Sequence, residues 1–181
     1  EYTDHRALDV GVMTTPFQVE KVQALVADAV SKGARIVAGG KRIGASQEFE
    51  PTVLADVTAD MAIVTEETFG PVVTVQTFAT EDEAVAMANA TEFGLSSSVW
   101  SADLDRAERV ARRIEAGNVC INNVLSTQAN AALPFGGVKQ SGFGRYKGPY
   151  GLYSFSNVKS VMIDKHQRGP ELNWYPYSEE K

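Results

Sequence analysis

Val72-Val73-Thr74-Val75-Gln76-Thr77-Phe78-Ala79-Thr80-Glu81-Asp82-Glu83-Ala84-Val85 passes within fourteen residues from a β-branched run to a helix start. Residues 72–78 read as a strand suited to a pleated, half-buried surface, and Gly70-Pro71 separates it from the preceding loop. Thr80 supplies an N-cap oxygen and Glu83 the reciprocal carboxylate of a capping box, with Ala84, Val85, Met87 and Ala88 carrying the helix onward. Working outward, residues 95–100 read as a strand. Leu104, Ala107, Val110, Ala111 and Ile114 then recur at helical spacing up to Gly117, and residues 119–121 read as strand again. Toward the N-terminus, Thr15-Pro16-Phe17-Gln18 puts Thr at an N-cap, Pro at the first helical position and Gln at the third. Val19, Val22, Leu25, Val26, Ala29 and Val30 follow at helical spacing until Gly33 supplies the stop. Residues 34–38 form a short strand ended by Gly39-Gly40, residues 41–50 read as a loop, and residues 52–54 as another short strand. Strands and helices alternating at this rhythm need crossover connections, which makes the class α/β, with a largely parallel sheet and helices on both faces. Residues 153–163 alternate as a late strand, and residues 164–181, with Pro170 and Pro176, read as an exposed tail.

Composition narrows the function. The chain has 181 residues, 44% hydrophobic and 22% charged, with a net charge of −6. No apolar run approaches the ~18 residues that span a bilayer, so no membrane partner is expected. The negative balance argues against nucleic acid, which needs clustered cations. Arg106, Arg109, Arg112 and Arg113 are interleaved with Asp103, Asp105, Glu108 and Glu115, which reads as a solvated, ion-paired helix face. A single cysteine, Cys120, excludes an internal disulfide framework and fits a reducing, cytoplasmic setting. His5 and His166 lie near opposite ends and form no cluster with ligand spacing, so no metal site is expected. Gly39-Gly40-Lys41-Arg42 lacks both the P-loop spacing and the dinucleotide fingerprint.

Two segments carry the chemistry. Thr65-Glu66-Glu67-Thr68-Phe69-Gly70-Pro71-Val72 holds two carboxylates and an aromatic ring at the mouth of a strand, a usual place for reading a ligand. Pro134-Phe135-Gly136-Gly137-Val138-Lys139-Gln140-Ser141-Gly142-Phe143-Gly144-Arg145 places four glycines within nine residues, as close backbone approach or sharp turning demands. Together they resemble the signatures of the NAD(P)-dependent aldehyde dehydrogenase superfamily, E-E-x-F-G-P-V followed by P-F-G-G-x-K-x-S-G-x-G-R. Glu92-Phe93-Gly94-Leu95 and Gly117-Asn118-Val119-Cys120-Ile121-Asn122 extend the resemblance, which runs from about Gly11 to about Ile163.

The resemblance implies a partial catalytic domain over residues 1–152, an oligomerisation strand over 153–163 that extends a partner subunit's sheet, and a tail over 164–181. It implies oxidation of an aldehyde to a carboxylic acid with NAD or NADP through a cysteine thioester. In that family the nucleophile, the general base and the dinucleotide-binding domain all precede the position matched by Gly11. The chain is therefore expected to be the C-terminal part of a longer enzyme, to hold no catalytic residue and to be inactive alone. Its expected partners are the aldehyde, the N-terminal part of the same enzyme and further copies of itself. A non-catalytic assembly or binding module related to the same family is the alternative. A free-standing nucleotide binder is weaker, since one ribose contact does not replace a pyrophosphate site.

Glu67 leads the candidate site. An ionised carboxylate only accepts, and it takes hydrogen bonds from two vicinal sugar hydroxyls at once; by resemblance it binds the nicotinamide ribose. Phe69 would project to the same side of an extended backbone and pack beside the ribose and nicotinamide, whereas Glu66 would point away. Gln18 and Lys21 match helix positions that approach the cofactor in some family members; a capping residue and a solvated lysine are the plainer alternatives. By resemblance Phe135 offers an aromatic wall to the aldehyde, with core packing as its alternative. Residues 124–133 match the rim of the substrate pocket and contain no charge, which favours a neutral or apolar aldehyde. Cys120, between Val119 and Ile121 and with no cation nearby, reads as a small buried hydrophobe. Lys139, Ser141 and Arg145 have no derivable chemical role, although Arg145 suits backbone carbonyls or a carboxylate. Many relatives have an acidic residue after that arginine, where Tyr146 stands here.

Overall fold

The computed structural model describes residues 10–163 and 165. The expected tail over 164–181 thus falls almost wholly outside the described residues, as do His5 and His166.

Helix α1, Pro16–Ser31, begins where the cap pattern puts it: Thr15 is the N-cap and its hydroxyl accepts from the Gln18 amide. Its apolar stripe of Val19, Val22, Leu25, Val26 and Ala29 is buried, together with Phe49, Leu54, Val57, Met61 and Ile63, in one cluster. Those partners come from strand β2, Thr52–Ala55, helix α2, Ala62–Thr65, and the loops beside them. Strand β1, Arg35–Ala38, pairs antiparallel with β2, and strand β3, Val72–Val75, pairs parallel with it across the α2 crossover. This three-stranded sheet has the order β1-β2-β3.

The second half repeats the crossover. Helix α3, Glu81–Asn89, is capped by Thr80, and strand β4, Phe93–Gly94, follows. Strand β5, Ser96–Val99, helix α4, Leu104–Ala111, and strand β6, Asn118–Ile121, form a unit whose strands pair in parallel. Helix α5, Ser126–Ala129, strand β7, Val138–Lys139, and helix α6, Gly148–Ser154, complete the described elements. Strand β7 pairs antiparallel with β4.

The class is α/β, and both crossovers are parallel. The sheet is nevertheless divided into three pieces, with antiparallel pairs at β1 and at β4-β7. The late strand expected over residues 153–163 is not formed: Tyr153 and Ser154 close α6, and residues 157–163 pair with no strand among the described residues. An extended segment becomes a strand only with a ladder partner, which alternation in a single sequence does not provide. The strand expected over 72–78 stops at Val75, and Gln76 turns to donate to the Val57 carbonyl. No helix among the described residues is long and apolar enough to cross a membrane.

Candidate functional site

The loop between α2 and β3 is gripped from one side by α1. The Gln18 side-chain amide donates to the carbonyls of Thr68, at 2.6 Å, and Phe69, at 2.9 Å. One turn on, the Lys21 ammonium donates to the Glu67 carbonyl at 2.6 Å. Gly70 lies against Val22, where an added Cβ would run into the valine methyl. Gln18 thus occupies the third helical position as expected, but its side chain reaches the loop rather than back to its own cap. Lys21 is likewise committed to backbone and is not a free solvated lysine.

This grip leaves three adjacent carbonyls satisfied and the side chains between them free. Glu67 is exposed, and its carboxylate makes no hydrogen bond or ion pair among the described residues. Phe69 is 75% exposed, and its backbone sits at φ +42°. A bulky residue in the left-handed region is strained, and such strain persists only where surrounding contacts over-determine it. The bonds from Gln18 and the fit of Gly70 on Val22 are those contacts. An exposed acceptor and an exposed aromatic face, two residues apart on a fixed backbone, suit a ligand with vicinal hydroxyls beside a flat ring.

Phe135 is placed differently. It is 7% exposed, and its backbone exchanges two hydrogen bonds with Tyr146. Its ring meets that of Tyr146 edge-on at 5.5 Å, with the Lys147 ammonium 5.4 Å from its centroid. It lines a groove of about 390 Å³ with Leu95, Phe143, Tyr146 and Phe155. No hydrogen bond among the described residues links Phe135 to Glu67 or Phe69, and the cluster under α1 does not include it. Gln18, Lys21, Glu67 and Phe69 are brought together, and Phe135 is bonded to none of them among the described residues.

The glycine-rich segment owes its composition to close approach. Gly117 faces Gly136, whose carbonyl occupies the space a Cβ would need. The buried Asn118 amide donates to the carbonyls of Leu95 and Gly136, at 2.9 and 3.0 Å, tying β6 to the segment. Arg145 donates to the carbonyls of Gly137 and Gly144, as its residue type suggested, which makes Tyr146 no loss to its anchoring. Ser141 accepts from the Gly94 amide, and Lys139 reaches the carbonyls of Asn89 and Thr91 and the Glu115 carboxylate. All three side chains therefore hold backbone.

Cys120 is 4% exposed in β6, as a small hydrophobe would be. Its thiol lies 3.5 Å from the Ser126 hydroxyl and donates to the Val124 carbonyl at 3.4 Å. The Ser126 hydroxyl, aided by backbone amides and Thr127, holds the thiol below its ordinary pKa despite burial. Hydroxyls and amides, and no cation, supply that influence.

The site missed by sequence reasoning is the far end of the same clamp. Asp28, on α1, accepts from the Ala62 amide at the start of α2 at 2.9 Å, across 34 residues. The one local signal was negative: Met61, the α2 N-cap, has no side chain able to cap it, and no such bond is formed.

The model of the aldehyde dehydrogenase family matches residues 2–161. Succinate-semialdehyde dehydrogenase [NADP(+)] of Deinococcus radiodurans is 50% identical over 162 residues, 89% of this chain and 34% of the relative. The 4,4'-diapolycopene aldehyde oxidase of Methylomonas sp is 45% identical over 170 residues, 94% of this chain and 32% of the relative. Among solved structures, an NAD-dependent aldehyde dehydrogenase from Sinorhizobium meliloti superposes with a TM-score of 0.83 at 46% identity, covering 89% of this chain and 32% of that one. A Mycobacterium tuberculosis aldehyde dehydrogenase complexed with NAD+ gives 0.82 at 35% identity, covering 88% and 33%. The chain belongs to the aldehyde dehydrogenase family. It spans about a third of the length of the curated relatives it matches.

Proposed function

We propose that this chain forms the cofactor-ribose and substrate-rim portion of an enzyme that oxidises an aldehyde to a carboxylic acid with NAD or NADP. The observation that carries this is the 67–69 loop, where an exposed carboxylate and an exposed, strained phenylalanine are presented on carbonyls clamped by Gln18 and Lys21. Glu67 accepts from the two ribose hydroxyls, and Phe69 packs beside the ribose and nicotinamide. Gln18 and Lys21 support that surface from beneath. A nicotinamide cofactor held there would supply the hydride acceptor for the oxidation, and a cysteine thiolate would be the nucleophile toward the aldehyde. That cysteine is not Cys120, whose thiol is buried in a strand and turned to Val124 and Ser126. It lies in polypeptide outside these residues, with the general base and the dinucleotide-binding domain, and the 181-residue chain alone is inactive.

Phe135 acts by packing the glycine-rich segment beneath the substrate rim, and the uncharged residues 124–133 admit a neutral or apolar aldehyde. Residues 155–163 pair with another copy of the chain. One buried free thiol fits a reducing, cytoplasmic setting.

The test is Glu67→Gln in the natural protein expressed from its complete reading frame. Losing a charge-assisted pair of hydrogen bonds should raise the cofactor KM about tenfold or more, with the aldehyde KM nearly unchanged. An unchanged cofactor KM, or no aldehyde-dependent cofactor reduction in the parent protein, would overturn the assignment.

A further inference from the structure

Helix α1 holds the segment that precedes β3 at more than the loop. Gln18 and Lys21 take the carbonyls of Glu67, Thr68 and Phe69 at its C-terminal end. Val22 receives Gly70. Ten residues beyond Gln18, Asp28 takes the first amide of α2. Positions 18, 21, 22, 25 and 28 recur at three or four residues, so these grips lie along one face, about 15 Å from end to end at 1.5 Å per residue. Between the two ends runs Ala62 to Phe69, pressed onto the helix by Ile63 and the buried Met61.

The Asp28 contact has the marks of a built joint. A helix start leaves its first amides without partners, and α2, which no local side chain caps, has this one supplied from elsewhere in the chain. Lys32 completes it: its ammonium pairs with Asp28 Oδ1 at 2.9 Å and donates to the Asp60 carbonyl at 2.7 Å, so the turn before α2 is held as well. Asp28 is held below its ordinary pKa, chiefly by the Ala62 amide and then by Lys32. With only four residues in α2, a shift of its first turn passes directly to Glu66 and Glu67.

We infer that Asp28 is a positioning residue for cofactor binding: by capping α2 from α1, it fixes the register from which Glu67 and Phe69 are presented. It touches no ligand and acts through the 62–69 segment. This rests on the assignment of Glu67 to the cofactor ribose, and the experiment separates the two.

Asp28→Ala, Asp28→Asn and Glu67→Gln are compared in the natural protein from its complete reading frame, by steady-state kinetics with cofactor and aldehyde varied separately and by thermal unfolding. Asp28→Ala should raise the cofactor KM about fivefold to tenfold with kcat and the aldehyde KM within about twofold. Asp28→Asn, whose amide oxygen still accepts from Ala62 but without charge, should recover only part of the loss and leave the cofactor KM about threefold above the parent. A purely structural role would lower the melting temperature while leaving the cofactor KM within about twofold of the parent, and that result overturns the inference. If Asp28→Ala does not fold, Asp28→Asn decides: a raised cofactor KM at normal aldehyde KM supports the role, and a parental value ends it. If Glu67→Gln leaves the cofactor KM unchanged, the ribose assignment fails whatever Asp28 does. If only the Asp28 variants are silent, the positioning role alone fails.

Discussion

Phe69 combines two demands that pull against each other. Its backbone at φ +42° is a conformation glycine adopts freely and phenylalanine does not, at a cost of about 1–3 kcal/mol. Its ring gains nothing from burial, being 75% exposed in the protein. On the proposed reading, contact of the ring with the cofactor offsets that cost. Phe69→Gly should therefore raise or preserve the melting temperature while raising the cofactor KM, and unfolding and kinetics on one preparation check the opposed signs. A joint loss of stability and affinity would show instead that the ring serves the fold. At this scale the motif draws attention to residues but does not tell how they are held. Glu67 and Phe69 stand out because their neighbours match a signature. Gln18 was legible as a cap position, but its true partners lie 50 and 51 residues away, and such a contact depends on tertiary packing that no local pattern encodes. Asp28 was illegible for the same reason.

Among the elements, the long helices and the β-branched strands were read from the sequence because caps and spacing are local. Thr15 and Thr80 cap where their patterns put them. The helix and strand segments of two to seven residues, α2, α5, α6, β4 and β7, are too short for a period to show, and packing alone defines them. The arginine-rich face of α4 shows a subtler gap. Its charges were expected to pair within the helix, and Arg112 does pair with Glu108. Arg106, Arg109 and Arg113 instead cross to Glu81, on the first turn of α3, and Arg113 also reaches Asp82 at 2.6 Å. These bonds join the two helices at the α3 N-terminus, where the dipole also favours carboxylates. Hydrogen bonding from Arg109, then its charge and Arg106, hold the Glu81 carboxyl below its ordinary pKa. A depressed folded-state pKa contributes stability that is present above the unfolded carboxylate range and lost as pH falls through the folded value. Glu81→Gln should thus lower the melting temperature at neutral pH and converge with the parent protein in acid below the ordinary carboxylate range. Melting curves from pH 7 down to about 3 read this directly. A gap that stays constant with pH would mean the pairs contribute nothing through charge, as many exposed pairs do not.

For the whole molecule, the distribution of apolar surface says more than the core does. Val73, Val75, Trp100, Phe143, Phe155, Val158, Val161, Met162 and Ile163 are all exposed. They occur on a sheet face, beside β5 and along the segment after α6, so they are more than scattered single residues. Apolar surface of this extent suits burial against another protein surface. The segment after α6 is the most informative part, because its apolar side chains are exposed while its backbone finds no ladder among the described residues. Pairing with another copy would bury its apolar side chains at about 25 cal/mol per Å² and satisfy its amides together. Replacing Val158 and Val161 by Asp would place two charges in that interface at a cost of several kcal/mol. The natural protein carrying both changes should sediment as a smaller species than the parent at the same concentration, while its residues 10–150 keep their melting transition. Unchanged sedimentation would show that residues 155–163 are covered from within one polypeptide, and assembly would then have to be sought on another face.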